Sequence, residues 1–155
     1  MRFVVRDFGE ADARAVAAWR YPPPYDVYDE ASDPDDLEAL MDATSWPGVY
    51  FAVDDADTEA LAGFLELRHD GDEVELGLGM SPDLTGQGLG PSFVGTALAF
   101  ARERWSPSTF ALDVLPWNER AIRAYEHAGF VRGEVYVRRF PNGVERTFLR
   151  MTRPA

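Results

Sequence analysis

Two residue types are missing from the sequence. None of the 155 residues is lysine and none is cysteine, and all 15 basic residues are arginine. Without lysine there is no Walker-type phosphate loop, no Schiff-base chemistry and no serine–lysine dyad. Without cysteine there is no thiol nucleophile, iron–sulfur cluster or thiolate zinc site. Histidine is scarce, with only His69 and His127, so no metal site is expected. No apolar run approaches the roughly 18 residues needed to span a bilayer. The opening segment Met1–Asp7 lacks the apolar stretch of a secretory signal, which makes the cytoplasm the expected compartment.

Positive charge is also in short supply. Acids outnumber bases 27 to 15, for a net charge of −12. Such a balance repels nucleic acid and anionic membranes, because counterion-release binding needs clustered positive charge. It fits a saline cytoplasm, a high-GC genome or a cationic substrate, and the composition alone does not choose among them. Apolar residues are plentiful at 46%, with 13% aromatic. That suffices for one core, and residues 1–155 read as a single domain without repeats or linkers.

The expected element order is strand, two helices, three strands, helix, strand, helix, two strands. Phe3–Asp7 reads as the opening strand and Gly9–Arg20 as a helix. Tyr21-Pro-Pro-Pro-Tyr-Asp-Val-Tyr-Asp29 reads as a stiff, extended loop. A second helix starts near Pro34, with Leu37, Leu40 and Met41 turned inward. Val49–Val53, Ala60–Arg68 and Val74–Met80 are strands, the last two joined by an Asp-Gly turn. A helix from Gly88 to Arg104, a strand Phe110–Leu115 and a helix Asn118–Ala128 follow. The strands Val131–Phe140 and Val144–Thr152 close the chain around Asn142-Gly143. This predicts an α/β fold with one mixed sheet, antiparallel in its first half, and a parallel crossover through the Gly88 helix.

Between a strand and that helix lies Asp83-Leu-Thr-Gly-Gln-Gly-Leu-Gly90. Glycines here deliver backbone N–H groups to a helix N-terminus, a geometry suited to pyrophosphate. Glycines in front of a helix also serve as plain turn residues. The dinucleotide fingerprint fails, since Pro91 stands where its third glycine belongs.

Two motifs together carry a resemblance. The loop Thr85-Gly86-Gln87-Gly88-Leu89-Gly90 resembles the Arg/Gln-x-x-Gly-x-Gly/Ala motif of the GNAT N-acetyltransferases, with Thr85 where the motif carries arginine or glutamine. Asn118-Glu-Arg-Ala-Ile-Arg-Ala-Tyr-Glu-His-Ala-Gly-Phe130 resembles the same family's Asn-x-x-Ala-x-x-x-Tyr-x-x-x-Gly-Phe helix. The motifs span residues 74–130, and the element order is similar over nearly the whole chain.

The resemblance implies an acetyl-CoA-dependent N-acetyltransferase whose donor lies in a cleft between parallel strands. Amides from Gly86, Gln87, Gly88, Leu89 and Gly90 would hold the pyrophosphate, with the Gln87 side chain nearby and the Thr85 hydroxyl still able to donate a hydrogen bond. The backbone of Leu78, Gly79 and Met80 would pair with the pantetheine arm, Gly77 and Gly79 leaving the strand face clear. Asn118 would bind that arm, a helix N-cap being the plainer role. Tyr125, almost two helical turns on, would protonate the leaving thiolate, against a plain role as a core tyrosine satisfied by a backbone carbonyl. Glu75 would be a general base or an ordinary exposed carboxylate. Arg120 and Arg123 would meet the 3′-phosphate or solvent. With no cysteine, transfer would be direct, in a ternary complex.

Acceptor choice in such folds rests on the segment between the first helices and on the late hairpin. Tyr21, Tyr25, Asp26 and Tyr28 can form an aromatic, anionic wall for a small cationic amine such as a polyamine, amino-sugar or aminoglycoside-like compound. The same residues can simply pack the loop. Rival readings are an N-terminal peptide acetyltransferase and a non-catalytic CoA-binding module. Homodimers through the late strands are common in the family, but no decisive interface is visible in the sequence.

Overall fold

The computed structural model describes residues 1–155. Seven strands form one sheet: β1 (Phe3–Asp7), β2 (Tyr50–Asp55), β3 (Leu61–Asp70), β4 (Glu73–Met80), β5 (Thr109–Val114), β6 (Val131–Arg139) and β7 (Glu145–Pro154). Four helices accompany them: α1 (Glu10–Ala18), α2 (Pro34–Met41), α3 (Gly90–Trp105) and α4 (Glu119–His127). The strand order is β1-β2-β3-β4-β5-β7-β6. Every neighbouring pair is antiparallel except β4–β5, the pair joined through α3. A parallel pair needs such a crossover, because a tight turn reverses chain direction.

Alternation along the strands sends apolar side chains to both faces. On one face Phe51, Leu65, Leu76 and Phe110 pack beneath α3 and α4, joined by Phe93, Leu98 and Ile122. On the other, Tyr50 and Ala52 pack with Phe8, Ala13, Val16 and Leu40 of the α1–α2 side. Arg6 anchors α1 to the sheet by donating from Nη2 to Asp12 at 2.7 Å and from Nε to Asp54 at 2.6 Å. Burial alone would raise the Asp12 carboxyl, but hydrogen bonds from Arg6 and the Gly9 amide outweigh it and hold it below the ordinary carboxylate range.

Three local expectations change. The first helix stops at Ala18 because Trp19 takes extended backbone, with ψ 139. Met41, expected inside, is 42% exposed, and the inward position belongs to Leu40. The proline loop is not extended throughout, since Tyr25–Tyr28 make a 3-10 turn. Pro34 does open α2, where the Asp33 carboxylate caps the amides of Asp35 and Asp36.

Candidate active site

The strands β4 and β5 stay together only through Glu73–Thr109, Val74–Phe110 and Glu75–Ala111. Beyond that point β4 remains paired with β3 as far as Met80, while β5 remains paired with β7 as far as Val114. Each strand follows its antiparallel neighbour, and a cleft opens between them. Ser81 sends its N–H to the Ala62 carbonyl. Since successive residues of a strand present their polar groups to opposite edges, Met80 and Leu78 present theirs to the cleft.

At the cleft end lies the glycine loop. Gly86 and Gly88 both hold φ at +75, in the left-handed region that glycine adopts without strain. The N–H groups of Gly86, Gln87, Gly88, Leu89 and Gly90 find no acceptor in the chain. No side chain caps α3, which begins Gly90-Pro91. Converging, uncommitted amides at a helix N-terminus fit a pyrophosphate.

Two loop side chains are spent on building this cradle. Thr85 donates its hydroxyl hydrogen to the Pro82 carbonyl at 3.0 Å, and Gln87 Nε2 donates to the Asp83 carbonyl at 2.6 Å. Both brace the turn, so the backbone is what the loop offers. The strand glycines differ from expectation as well. The Phe64 ring lies where a Gly79 side chain would start. Gly79 therefore admits a neighbouring ring, and its face of the strand is covered rather than clear.

The proline loop crosses the mouth of the cleft as a strap. Tyr21 Oη donates to the Met80 carbonyl at 2.6 Å, on the β4 lip. Tyr28 Oη accepts from Asn118 Nδ2 at 2.8 Å, on the α4 lip. Asn118 Oδ1 meanwhile caps the helix by accepting from the Ala121 amide at 3.2 Å. Asn118 is thus an N-cap with its amide turned to the strap, and it is buried. Between these points the Arg120 guanidinium lies 4.0 Å above the Tyr25 ring, which itself lies 5.7 Å from the Trp117 ring. Burial pushes the Tyr21 and Tyr28 hydroxyls up, so both remain neutral donors or acceptors. Asp26 and Arg123 are exposed.

Tyr125, partly buried, packs from α4 against the main core, its ring 6.1 Å from Phe130. No hydrogen bond within the chain reaches its hydroxyl, and burial followed by the proximity of Tyr28 pushes its pKa up. A core tyrosine satisfied by a carbonyl is not what is seen. The phenol holds its proton firmly.

Glu75 sits where the parallel ladder ends. Its carboxylate meets Arg150 at 3.3 Å and Arg138 at 3.7 Å. The same arginines reach Asp113, and Arg150 also reaches Glu73. Tyr136 donates to Asp113 Oδ2 at 2.5 Å. Asp113 and Tyr136 escaped the sequence reading, although an aspartate inside the otherwise apolar Phe110–Leu115 was a visible signal.

The acidic wall also lies elsewhere than expected. A hollow of about 190 Å³ opens between the strap, α2 and the late hairpin, with Glu30, Asp33 and Asp36 facing Phe140, Arg146 and Phe148. Of the strap tyrosines only Tyr28 lines it, together with Val27 and Asp29. Burial, reinforced by Asp36, Glu66 and Asp33, pushes the Glu30 carboxyl up to about 8. Asp36 is raised for the same reasons, burial first and then Asp33 and Glu66. His69 stacks on Trp105, and no group of three or more His, Asp or Glu is placed to hold a metal ion.

A mixed sheet that parts at its single parallel pair, with a loop of uncommitted amides entering the next helix, defines an N-acetyltransferase. The chain belongs to the GNAT acetyltransferase family: residues 2–131 match the family model for the acetyltransferase (GNAT) domain. Members of this family use acetyl-CoA as donor. No curated protein matches the sequence. Among solved structures, one similar to this chain is a chimera of the spermidine N-acetyltransferase SpeG from Vibrio cholerae with hSSAT. It is 25% identical with a TM-score of 0.71, over 98% of this chain and 95% of that one. The spermidine/spermine N-acetyltransferase SpeG from Vibrio cholerae, solved with manganese ions, is 24% identical with a TM-score of 0.70, over 99% and 92% of the two chains. A GNAT-family acetyltransferase from Bacillus anthracis is 17% identical with a TM-score of 0.75, over 99% and 95%.

Proposed function

We propose that residues 1–155 form one acetyltransferase domain that moves an acetyl group from acetyl-CoA directly to a primary amine on a small, cationic acceptor. The observation that carries this reading is the acid-lined hollow beside the cleft, where Glu30, Asp33 and Asp36 outnumber the single cation Arg146 among the rings of Tyr28, Phe140 and Phe148. Ammonium groups are stabilised by such carboxylates and by ring faces. The similarity to spermidine N-acetyltransferases points the same way.

Bound acetyl-CoA would supply a thioester-activated acetyl group. In this chain, the Gly86–Gly90 amides would bind its pyrophosphate, and the free edge at Leu78–Met80 would orient the pantetheine arm. The Thr85 and Gln87 side chains would keep those amides aimed by bracing the turn. Asn118 would hold the strap and the helix end in place, keeping one amide hydrogen for the arm. Tyr125 Oη would hold the proton that the departing sulfur needs. An ammonium must lose a proton before attack; Glu75, through water, would be the group to take it, and Glu30, raised to about 8, would do so only after a bound cation had ionised it.

The test is to incubate the protein with acetyl-CoA and, separately, a linear polyamine, an aminoglycoside and a short peptide with a free amino terminus, following CoA release and product mass. Acetylated polyamine or aminoglycoside is expected. Turnover confined to the peptide would replace the reading with an N-terminal acetyltransferase, and tight CoA binding without turnover would make the chain a CoA-binding module.

A further inference from the structure

Arg120 is out of place by local rules. It occupies the first turn of α4, where the helix dipole disfavours a cation. In a chain with 27 acids it pairs with no carboxylate. Its contacts are of another kind. One face of the guanidinium lies 4.0 Å from the centre of the Tyr25 ring. Its Nη1 lies 3.7 Å from the point where a side chain at Gly86 would begin. A single side chain thus touches the first glycine of the amide cradle and, through Tyr25, the same turn of the strap whose Tyr28 lines the hollow. Tyr25 is itself steadied against Trp117.

We propose that Arg120 is a positioning residue coupling the two substrate sites: its stack on Tyr25 holds the guanidinium against the glycine loop, so that an ordered strap strengthens donor binding. The inference rests on the reading that the Gly86–Gly90 amides hold the CoA pyrophosphate. An arginine held by a ring gives up less rotamer freedom when it meets a phosphate than one left in solvent. Linkage is reciprocal, so a bound donor that fixes Arg120 also favours the strap conformation seen here. The coupling lets a bound anionic donor favour the strap conformation that a cationic acceptor meets.

A double-mutant cycle read by calorimetry with CoA as the probe tests this. Tyr25→Leu is expected to weaken CoA binding about three- to tenfold, the range of one cation–π contact at a partly exposed site. Tyr25→Phe, which keeps the ring, restores wild-type affinity. In an Arg120→Gln background, Tyr25→Leu has no further effect. An equal loss in both backgrounds, or no rescue by phenylalanine, would show that Tyr25 acts through strap packing and would overturn the coupling. A wild-type protein that binds no CoA would defeat the donor-site reading itself, and the coupling with it. Wild-type binding with no response to Tyr25→Leu would defeat the coupling alone.

Discussion

The Asn118 side-chain amide donates to the Tyr28 hydroxyl at 2.8 Å, linking residues 90 apart in sequence. With the Tyr21–Met80 bond it fastens a proline-rich strap to both lips of the β4–β5 cleft. The strap that lines the acid-lined hollow is therefore also part of the cleft wall.

Removing that fastening should cost stability in a separable way. Asn118→Ala loses both the helix cap and the bond to Tyr28, and an expected loss of about 1–2 kcal/mol follows from capping data. Tyr28→Phe loses the hydroxyl alone, about 0.5–1.5 kcal/mol. Urea unfolding of both variants and the double variant should give a combined loss smaller than the sum, because the two changes remove one shared bond. Strict additivity would mean that the bond contributes nothing.

Glu30 gives the stability a pH dependence. Its carboxyl rises from the ordinary 4.5 to about 8 in the folded protein, so between those values the folded state binds more protons than the unfolded one. Its contribution is complete below about pH 4.5 and is lost as pH rises through about 8. Glu30→Gln, which cannot ionise, should therefore raise the thermal midpoint relative to wild type at pH 9 and leave it nearly unchanged at pH 4. A bound cationic amine should pull the wild-type transition to lower pH. Parallel curves for the two proteins across this range would contradict the burial assigned to Glu30.

The glycine loop is testable through backbone alone. Nothing lies within 4 Å of a side chain placed at Gly88, yet its φ is +75. Gly88→Ala therefore meets no clash and acts only by disfavouring the left-handed conformation, by about 1–2 kcal/mol. The amides should turn out of register and CoA affinity should fall about tenfold, with the fold retained by circular dichroism. Gly95→Ala, on an open face of α3, should leave CoA affinity unchanged and serves as the control.

For Tyr125 the expected signature is kinetic. Tyr125→Phe keeps the ring in the core and removes only the proton donor, so kcat should fall about a hundredfold while the KM for acetyl-CoA holds. A small change in kcat would assign thiolate protonation to water or another group.

Much of this was legible because it is local. The spacing of Asn118 and Tyr125 marks one face of a helix, and α4 carries it from its Asn118 cap, with Gly129 just beyond its end at φ +92. The sheet followed from alternation and from turns such as Asp70–Asp72. Helix ends were less legible: Gly9–Arg20 shortened to α1, and Met41 turned outward, because tertiary packing rather than periodicity sets the last turn. The acid-lined hollow was not legible. Glu30 and Asp36 meet Arg146 and Phe148 only after the late hairpin folds back over the strap, and no local pattern encodes that approach. The same holds for Glu75, where an arginine from each of β6 and β7 converges on a carboxylate of β4. Gly79 was recognised as special, but its reason, the Phe64 ring, comes from the neighbouring strand.

We propose that the acid-lined hollow selects a cationic amine for acetyl transfer. It is tested most directly by the ratio of kcat/KM for a linear polyamine to that for an uncharged-chain monoamine of equal length, with acetyl-CoA as donor, in wild type and in Asp33→Asn/Asp36→Asn. A ratio well above one is expected in the wild type, falling at least about tenfold in the variant, the scale of one or two partly buried charge contacts. A ratio near one in both proteins, or one that the variant leaves intact, would contradict it.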